Sequence, residues 1–263
     1  MCHFPLIFSA MYRRRPGGRH KSKNWRSGAV ISLLLMVFSS VPLCAQIPEG
    51  AYLSEPSGPN ALQHEIKVAG NYLIHSLYET SPPRFISTMG GSYTLEGTQL
   101  EWALEFNSAY EQDAVRSLTV PVRIAEGGLE WGEDGLRLQA LPKVAQALDG
   151  GWLFATRGPD TGQERRGEES SRKTLKFLID GRFQWIAYDT DSMRFSGSGG
   201  GRYEAKDGRY TEHIGYFSRD NARVGATLEF AYEVQGADWH HTGRNSRGEP
   251  MYEIWARREV GAE

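Results

Sequence analysis

Cysteine is nearly absent: the 263-residue chain has two, Cys2 and Cys44, and none later. A disulfide framework is therefore excluded for everything after residue 44, which its own core must hold together. Acidic residues are missing from the start of the chain, the first being Glu49. Long apolar runs are missing too. The run from Ala29 to Phe38 is shorter than the ~20 residues a spanning helix needs. The sequence has no Gly-x-Ser-x-Gly elbow. Its one glycine run, Gly199-Gly200-Gly201, lacks the strand-to-helix context and the lysine of a phosphate loop. A bend or bulge between strands is the expected use of those glycines.

What stands at the start instead is a basic flank. Arg13, Arg14, Arg15, Arg19, Lys21, Lys23 and Arg26 precede the apolar run, and a small residue follows at Ala45. This is the pattern of a signal peptide over residues 1–45, with cleavage after Ala45. An uncleaved anchor is the alternative, because the apolar stretch can extend to Ala45. Translation can start at Met1 or at Met11. Cys44 raises lipidation, against which stands the large Leu43 in the preceding Val41-Pro42-Leu43. The expectation is an exported protein, periplasmic or secreted, with an outer-membrane lipoprotein as the lesser alternative. Without the leader, 23 basic residues face 32 acidic ones, a formal charge of −9. That balance disfavours nucleic acid and anionic membrane surfaces as partners, since both call for positive potential.

The remainder repeats itself. Tyr78-Glu79-Thr80 matches Tyr188-Asp189-Thr190 at an offset of 110 residues, and Arg84-Phe85 and Gly90-Gly91-Ser92-Tyr93 keep that offset with Arg194-Phe195 and Gly200-Gly201-Arg202-Tyr203. With one inserted residue, Gly97, Glu101 and Phe106 fall on Gly208, Glu212 and Phe217, and Gly70-Asn71-Tyr72 on Gly181-Arg182-Phe183. Ser117-Leu118 meets Thr227-Leu228, and Glu130-Trp131 meets Asp238-Trp239. Gly, aromatic and acidic positions kept in order over so long a stretch indicate an internal duplication.

Each copy reads as β structure. Asp180-Gly181 and Asp207-Gly208 are hairpin-turn dipeptides. Leu228, Phe230, Tyr232 and Val234 alternate with Thr227, Glu229, Ala231 and Glu233. Phe183, Trp185 and Ala187 alternate with Arg182, Gln184 and Ile186, a strand partly apolar on both faces. Tyr210, Glu212, Ile214 and Tyr216 share a face opposite Thr211, His213 and Phe217. The expected architecture is all-β: two tandem antiparallel β-barrel modules, 46–138 and 150–263. Between them, 139–149 reads as a linker with a short helix, Gln139 to Leu148, broken by Pro142. A polar loop from Arg157 to Ser171 can close one end of the second barrel.

The opening Gly151-Trp152, the consecutive hairpins and a closing strand from Met251 to Arg257 resemble the lipocalin-like barrels of the calycin group. The run Leu175-Lys176-Phe177-Leu178-Ile179-Asp180-Gly181-Arg182-Phe183-Gln184-Trp185 is similar to a family of uncharacterised exported proteins from Bacteroidetes-type bacteria. So are Tyr210-Thr211-Glu212, Phe217-Ser218-Arg219-Asp220-Asn221 and Asp238-Trp239-His240-His241-Thr242-Gly243. The resemblance covers nearly all of the second copy and is faint in the first, where Trp131 survives without the histidines. It implies a lipocalin-like fold and export, and it brings no activity with it.

Two clusters carry candidate chemistry. His240 and His241 are adjacent on a strand and so face opposite ways. At most one can serve a given site, and a zinc site lacks further ligands; a Trp-His pair satisfied by hydrogen bonds is the plainer reading, and no metal or cofactor is expected. Glu212 shares its face with aromatic residues, and the duplication puts Glu101 at the same place. If that face is inward, the carboxylate requires a partner, for which Arg194, Arg219 and Arg223 are candidates. It is then either a polar anchor in a ligand cavity or half of a buried ion pair. Arg219-Asp220-Asn221 reads as a tight turn.

The function expected from these residues is binding of a small apolar or aromatic molecule, in the second barrel first. Trp152, Trp185, Tyr210, Glu212 and Tyr216 are candidate contacts, together with Arg219, Trp239, His241 and Tyr252. A cell-envelope interaction or scaffold module with filled barrels is the alternative. A barrel enzyme using Glu212 and His241 is the weakest reading, since no nucleophile accompanies them.

Overall fold

The computed structural model describes residues 46–245 and 247–258. The leader, both cysteines and the alternative start sites lie outside these residues. Eight strands follow one another up and down: β1 (Gly50–Ser54), β2 (Leu62–Ala69), β3 (Tyr72–Thr80), β4 (Pro83–Glu96), β5 (Gln99–Asn107), β6 (Ser117–Ala125), β7 (Gly128–Trp131) and β8 (Leu136–Ala140). β8 pairs with β1 and closes a barrel. The second set is β9 (Gly150–Arg157), β10 (Arg172–Ile179), β11 (Arg182–Asp189), β12 (Arg194–Lys206), β13 (Arg209–Phe217), β14 (Thr227–Gln235), β15 (Asp238–Arg244) and β16 (Pro250–Arg258). It closes through β16 against β9. The chain is all-β, two closed eight-stranded antiparallel barrels in tandem, as two lipocalin-like modules from a duplication require.

The local signals act as their chemistry demands. Asp180 and Gly181 carry φ of 48° and 73°, and Asp207 and Gly208 carry 51° and 76°, which is the turn geometry that twists with the flanking strands. The helix expected over Gln139 to Leu148 is absent. Gln139 and Ala140 are instead consumed by pairing with Leu53 and Tyr52 of β1, and residues 141–149 are irregular. The first module thus ends at Ala140. A single helical turn, α1 (Tyr110–Asp113), sits between β5 and β6 instead.

From β2 through β7, matched to β10 through β15, strand register holds the duplication at a constant 110 residues with no insertion. The β9–β10 and β15–β16 connections are longer than their first-barrel counterparts. Tyr93 pairs with Trp102, and Tyr203 with Glu212; Trp102 is therefore the counterpart of Glu212. Glu101 corresponds to Thr211, lies exposed on the outer surface, and accepts a hydrogen bond from Thr119 Oγ1 at 2.9 Å. A one-residue slip in a strand reverses the face, so the expected match of Glu101 to Glu212 is incorrect. In the same way Val122 pairs with Trp131 and Tyr232 with His241, making Trp131 the counterpart of His241 rather than of Trp239.

The glycine run is a β-bulge, and both barrels have it. Register shifts between Gly90 and Gly91 and between Gly200 and Gly201, leaving Glu105 and Gly215 as the extra residues. The backbones come so close there that a Cβ on Gly201 would stand 2.0 Å from the His213 carbonyl oxygen, and one on Gly91 1.9 Å from that of Ala103. The bulge switches faces along β13. Tyr210, Glu212 and Ile214 point inward, whereas Tyr216 points out of the barrel and Phe217 points in, its ring 5.4 Å from that of Trp185. The expected common face for Tyr216 and Glu212 thus ends at the extra residue.

Outward Tyr216 meets the other barrel. The two modules pack through equivalent outer faces in a pseudo-two-fold arrangement, as an isologous dimer does. Phe85 stacks on its own counterpart Phe195 at 6.0 Å. Tyr78 stacks on Tyr216 at 4.5 Å, and the counterpart pair, Tyr188 and Phe106, lies at 5.0 Å. Ile74, Leu175, Phe177 and Ile186 complete an apolar seam. At its centre the Gln184 side chain donates to Thr88 and Ser198 at 2.9 and 3.0 Å, and accepts from Ser76 and Lys67. Each half of the seam has its own ion cluster, on different residues: Glu65 binds Lys67 at 2.8 Å and Arg182 at 2.9 Å in one, and Glu105 binds Lys173 at 3.1 Å and Arg258 at 2.8 Å in the other. The register counterparts of Glu65, Lys67 and Arg182 are Leu175, Phe177 and Tyr72, all apolar or aromatic.

Candidate functional site: the mouth of the second barrel

Both barrels close their lower ends alike. Ile47 plugs the first, where Tyr52 Oη donates to the Pro48 carbonyl; Leu148 plugs the second, accepting from Trp152 Nε1 at 2.9 Å. The upper ends differ. The tip of the β11–β12 turn buries Met193 in the first barrel's core cluster, which Tyr110, Val115, Leu118 and Leu136 also border. The first barrel's equivalent tip carries Pro83, which is not part of the second barrel's core. A cavity of about 590 Å³ remains at the second barrel's mouth, within the range of small-molecule sites. Phe154, Thr174, Glu253 and Trp255 come from the barrel wall, and Glu164, Arg165 and Arg166 from the loop between β9 and β10. That loop was expected to close the barrel; it lines the opening.

Beneath the mouth lies a charged layer wrapped in aromatic rings. Lys176 Nζ stands 3.0 Å from Glu212 Oε1, with both side chains buried, and Tyr210 Oη donates to the same oxygen at 2.7 Å. The ammonium lies within 4.8 to 5.1 Å of the ring centres of Tyr210, Trp239 and Trp255, distances at which ring quadrupoles attract a cation. The arginines expected as partners of Glu212 are elsewhere. Arg219 donates to the Ser196 carbonyl, Arg223 is 3.9 Å from Asp220, and Arg194 is exposed. Lysine alone fits, because Lys176 pairs in register with Trp152 and Trp185 and so points inward with them.

His241 packs among Phe230, Trp239 and Tyr210 with ring centres 4.4 to 5.7 Å apart. Neither of its nitrogens nor the Trp239 indole nitrogen has a hydrogen-bond partner, contrary to the satisfied Trp-His pair expected. Burial and the Lys176 charge push its pKa down to about 4, so the ring is neutral at pH 7. Glu253 Oε2 is 3.6 Å from His241 Nδ1 and accepts from Trp255 Nε1 at 3.2 Å. Burial would raise the Glu253 pKa, but His241 and Lys176 outweigh it and hold the carboxyl below its ordinary value.

The candidate residues therefore separate. Trp152, Trp185, Tyr210, Glu212, Trp239 and His241 come together inside the second barrel. Tyr216 lies in the seam between barrels, and Arg219 in an exposed turn. Tyr252 is on the outer surface, where its hydroxyl meets His240 Nδ1 at 2.8 Å. The expected turn at Arg219-Asp220-Asn221 forms, Asp220 Oδ1 accepting from Ala222 N at 3.0 Å. Sequence reasoning missed Lys176, Glu253 and Trp255; strand alternation from Trp152 and His241 would have found them had the pairing been known. No family model matches the chain. Nor does any curated protein. Its own first barrel remains as the comparison. Lys176, Tyr210, Glu212, His241 and Glu253 correspond in register to Ile66, Leu100, Trp102, Trp131 and Leu136, every one apolar or aromatic.

The first barrel has a smaller polar feature. His64 Nδ1 and His75 Nε2 are 3.0 Å apart, and the His75 ring lies 5.6 Å from that of Trp131. Burial, with His64 and Lys67 nearby, takes the His75 pKa down to about 3. Among the described residues, no group of three or more His, Cys, Asp or Glu side chains is arranged to hold a metal ion. No described helix is long and apolar enough to cross a membrane.

Proposed function

We propose that this protein is an exported binding protein for a small molecule with an apolar or aromatic body, taken up at the mouth of the second barrel. One observation carries the reading. On one shared framework, the second barrel replaces five apolar interior positions with Lys176, Tyr210, Glu212, His241 and Glu253, beside a cavity of about 590 Å³. Burying charge is costly unless it is paired, so a filled structural barrel gains nothing from that exchange. Phe154 and Trp255, in edge contact at 5.7 Å, offer flat surfaces to a ligand. The resemblance to lipocalin-like exported proteins and the leader pattern of residues 1–45 agree with this reading.

The scaffold alternative draws on the first barrel, whose interior is closely packed and whose mouth holds Met193. We assign it the supporting role. The enzyme alternative has less support, because Glu212 is taken up by Lys176 and Tyr210. Native mass spectrometry of the protein purified from its own host tests the binding reading. A retained small molecule, displaced when Trp255 is replaced, is the expected result. A mass equal to the bare polypeptide in every preparation overturns it.

A further inference from the structure

We propose that the mouth cavity selects ligands bearing an ammonium group, which docks on the Glu253 carboxylate between Trp255 and Phe154. This deepens the binding reading above and rests on it.

Charge accounting in the second barrel points to a missing cation. Its interior holds two carboxylates, Glu212 and Glu253, and one ammonium, Lys176, which lies 3.0 Å from Glu212. His241 is 2% exposed, has no hydrogen-bond partner on either nitrogen, and is neutral at pH 7. Glu253 is thus left without a charged ion-pair partner in contact, Lys176 being in contact with Glu212 and acting on Glu253 only at longer range. The rim does not supply one. Arg165 is held by Asp160 at 3.1 Å and Asp238 at 2.6 Å. Arg166 lies over the Phe154 ring, 5.2 Å from its centre, and neither it nor Arg157 comes within salt-bridge distance of Glu253. With Glu164 also on the rim, acidic and basic groups there offset one another.

Hydrogen bonding points the same way. Trp255 donates to Glu253 Oε2, whereas Oε1 receives no hydrogen bond among the described residues. A carboxylate 20% exposed, facing a cavity with one oxygen open, is complementary to an N–H donor carrying charge. The rings beside it already stabilise cations: Trp255 has Lys176 at 5.1 Å and Phe154 has Arg166. An ammonium entering the cavity meets the same ring electrostatics.

Isothermal titration calorimetry with three indoles tests this on the unaltered protein: tryptamine, 3-methylindole and indole-3-acetate share a ring and differ in charge. Tryptamine is expected to bind about tenfold more tightly than 3-methylindole, with indole-3-acetate weakest. Glu253→Gln is expected to bring tryptamine down to the affinity of 3-methylindole. Equal affinities for tryptamine and 3-methylindole, or a preference for indole-3-acetate, overturn the ammonium assignment and leave the binding reading standing. No heat with any of the three overturns the assignment as well, while the binding reading falls only if host-purified protein also carries no ligand. The comparison among indoles holds even if Glu253→Gln fails to fold.

Discussion

Trp102 and Glu212 occupy one position in two copies of one barrel, each directly opposite a tyrosine of the preceding strand, Tyr93 and Tyr203. The indole fills its barrel; the carboxylate requires Lys176. Divergence at a single register position thus converts an apolar interior into a charged one, and the neighbouring exchanges at 176, 210, 241 and 253 follow the same direction.

The Lys176–Glu212 pair gives the first prediction. Glu212→Gln leaves a buried ammonium without its counter-ion and is expected to cost about 3–5 kcal/mol. Lys176→Met combined with Glu212→Gln removes both charges and is expected to recover most of that loss. Urea unfolding of the two variants measures the difference; equal losses would show that the charges do not depend on each other.

Between the barrels, Glu65 serves Lys67 and Arg182 together. Those two cations, against the pull of burial, hold its pKa at about 2. Glu65→Gln is expected to destabilise by about 3–5 kcal/mol. In the other half the counterpart positions carry Leu175, Phe177 and Tyr72, and the charge sits instead on Glu105 with Lys173 and Arg258. Glu65→Leu, Lys67→Phe and Arg182→Tyr together install those three side chains and remove all three charges, and are expected to be neutral or stabilising by about 1–4 kcal/mol. Thermal unfolding of the triple variant decides whether pseudo-symmetry extends to energetics.

Acid should act on the histidines first. His75 and His241 are held neutral in the folded protein down to pH values of about 3 and 4, against 6.5 for the free imidazole. The unfolded chain therefore binds more protons below pH 6.5, so stability is complete above that value and falls as pH drops toward 4. The slope is at most about 1.4 kcal/mol per pH unit for each histidine. Glu65, ordinarily at 4.5 and held at about 2, adds its loss only below pH 4.5. His241→Phe fits an aromatic surround and removes two unpartnered nitrogens; it is expected to match the native protein at pH 8 and to exceed it at pH 5. Denaturant midpoints at both pH values provide the check, and an unchanged difference between them would refute it.

Met193 lends the first barrel a residue from the second. Met193→Ala is expected to cost about 2–5 kcal/mol, the usual range for a methionine truncated in a core. It should also open the first barrel to a small apolar dye that the native protein excludes. Fluorescence of such a dye in the variant reads this directly; no gain in signal would mean that α1 and its neighbours collapse into the space.

By itself the sequence determined the β structure, the duplication, and the turns at Asp180-Gly181 and Asp207-Gly208. Each of these rests on local chemistry: alternation along a strand, positive φ at turn residues, and matched residues in order. The helix over Gln139 to Leu148 failed because pairing with β1 outcompeted local propensity. Tertiary structure alone decided which strand face was inside, since a single extra residue at Gly215 turns Tyr216 outward and Phe217 inward. It also decided that Glu212 meets Lys176 and that Glu253 stands beside His241, because those partners are brought together by barrel closure across strands distant in the chain. Register, which a one-residue slip inverts, is the physical quantity that separates the two kinds of knowledge.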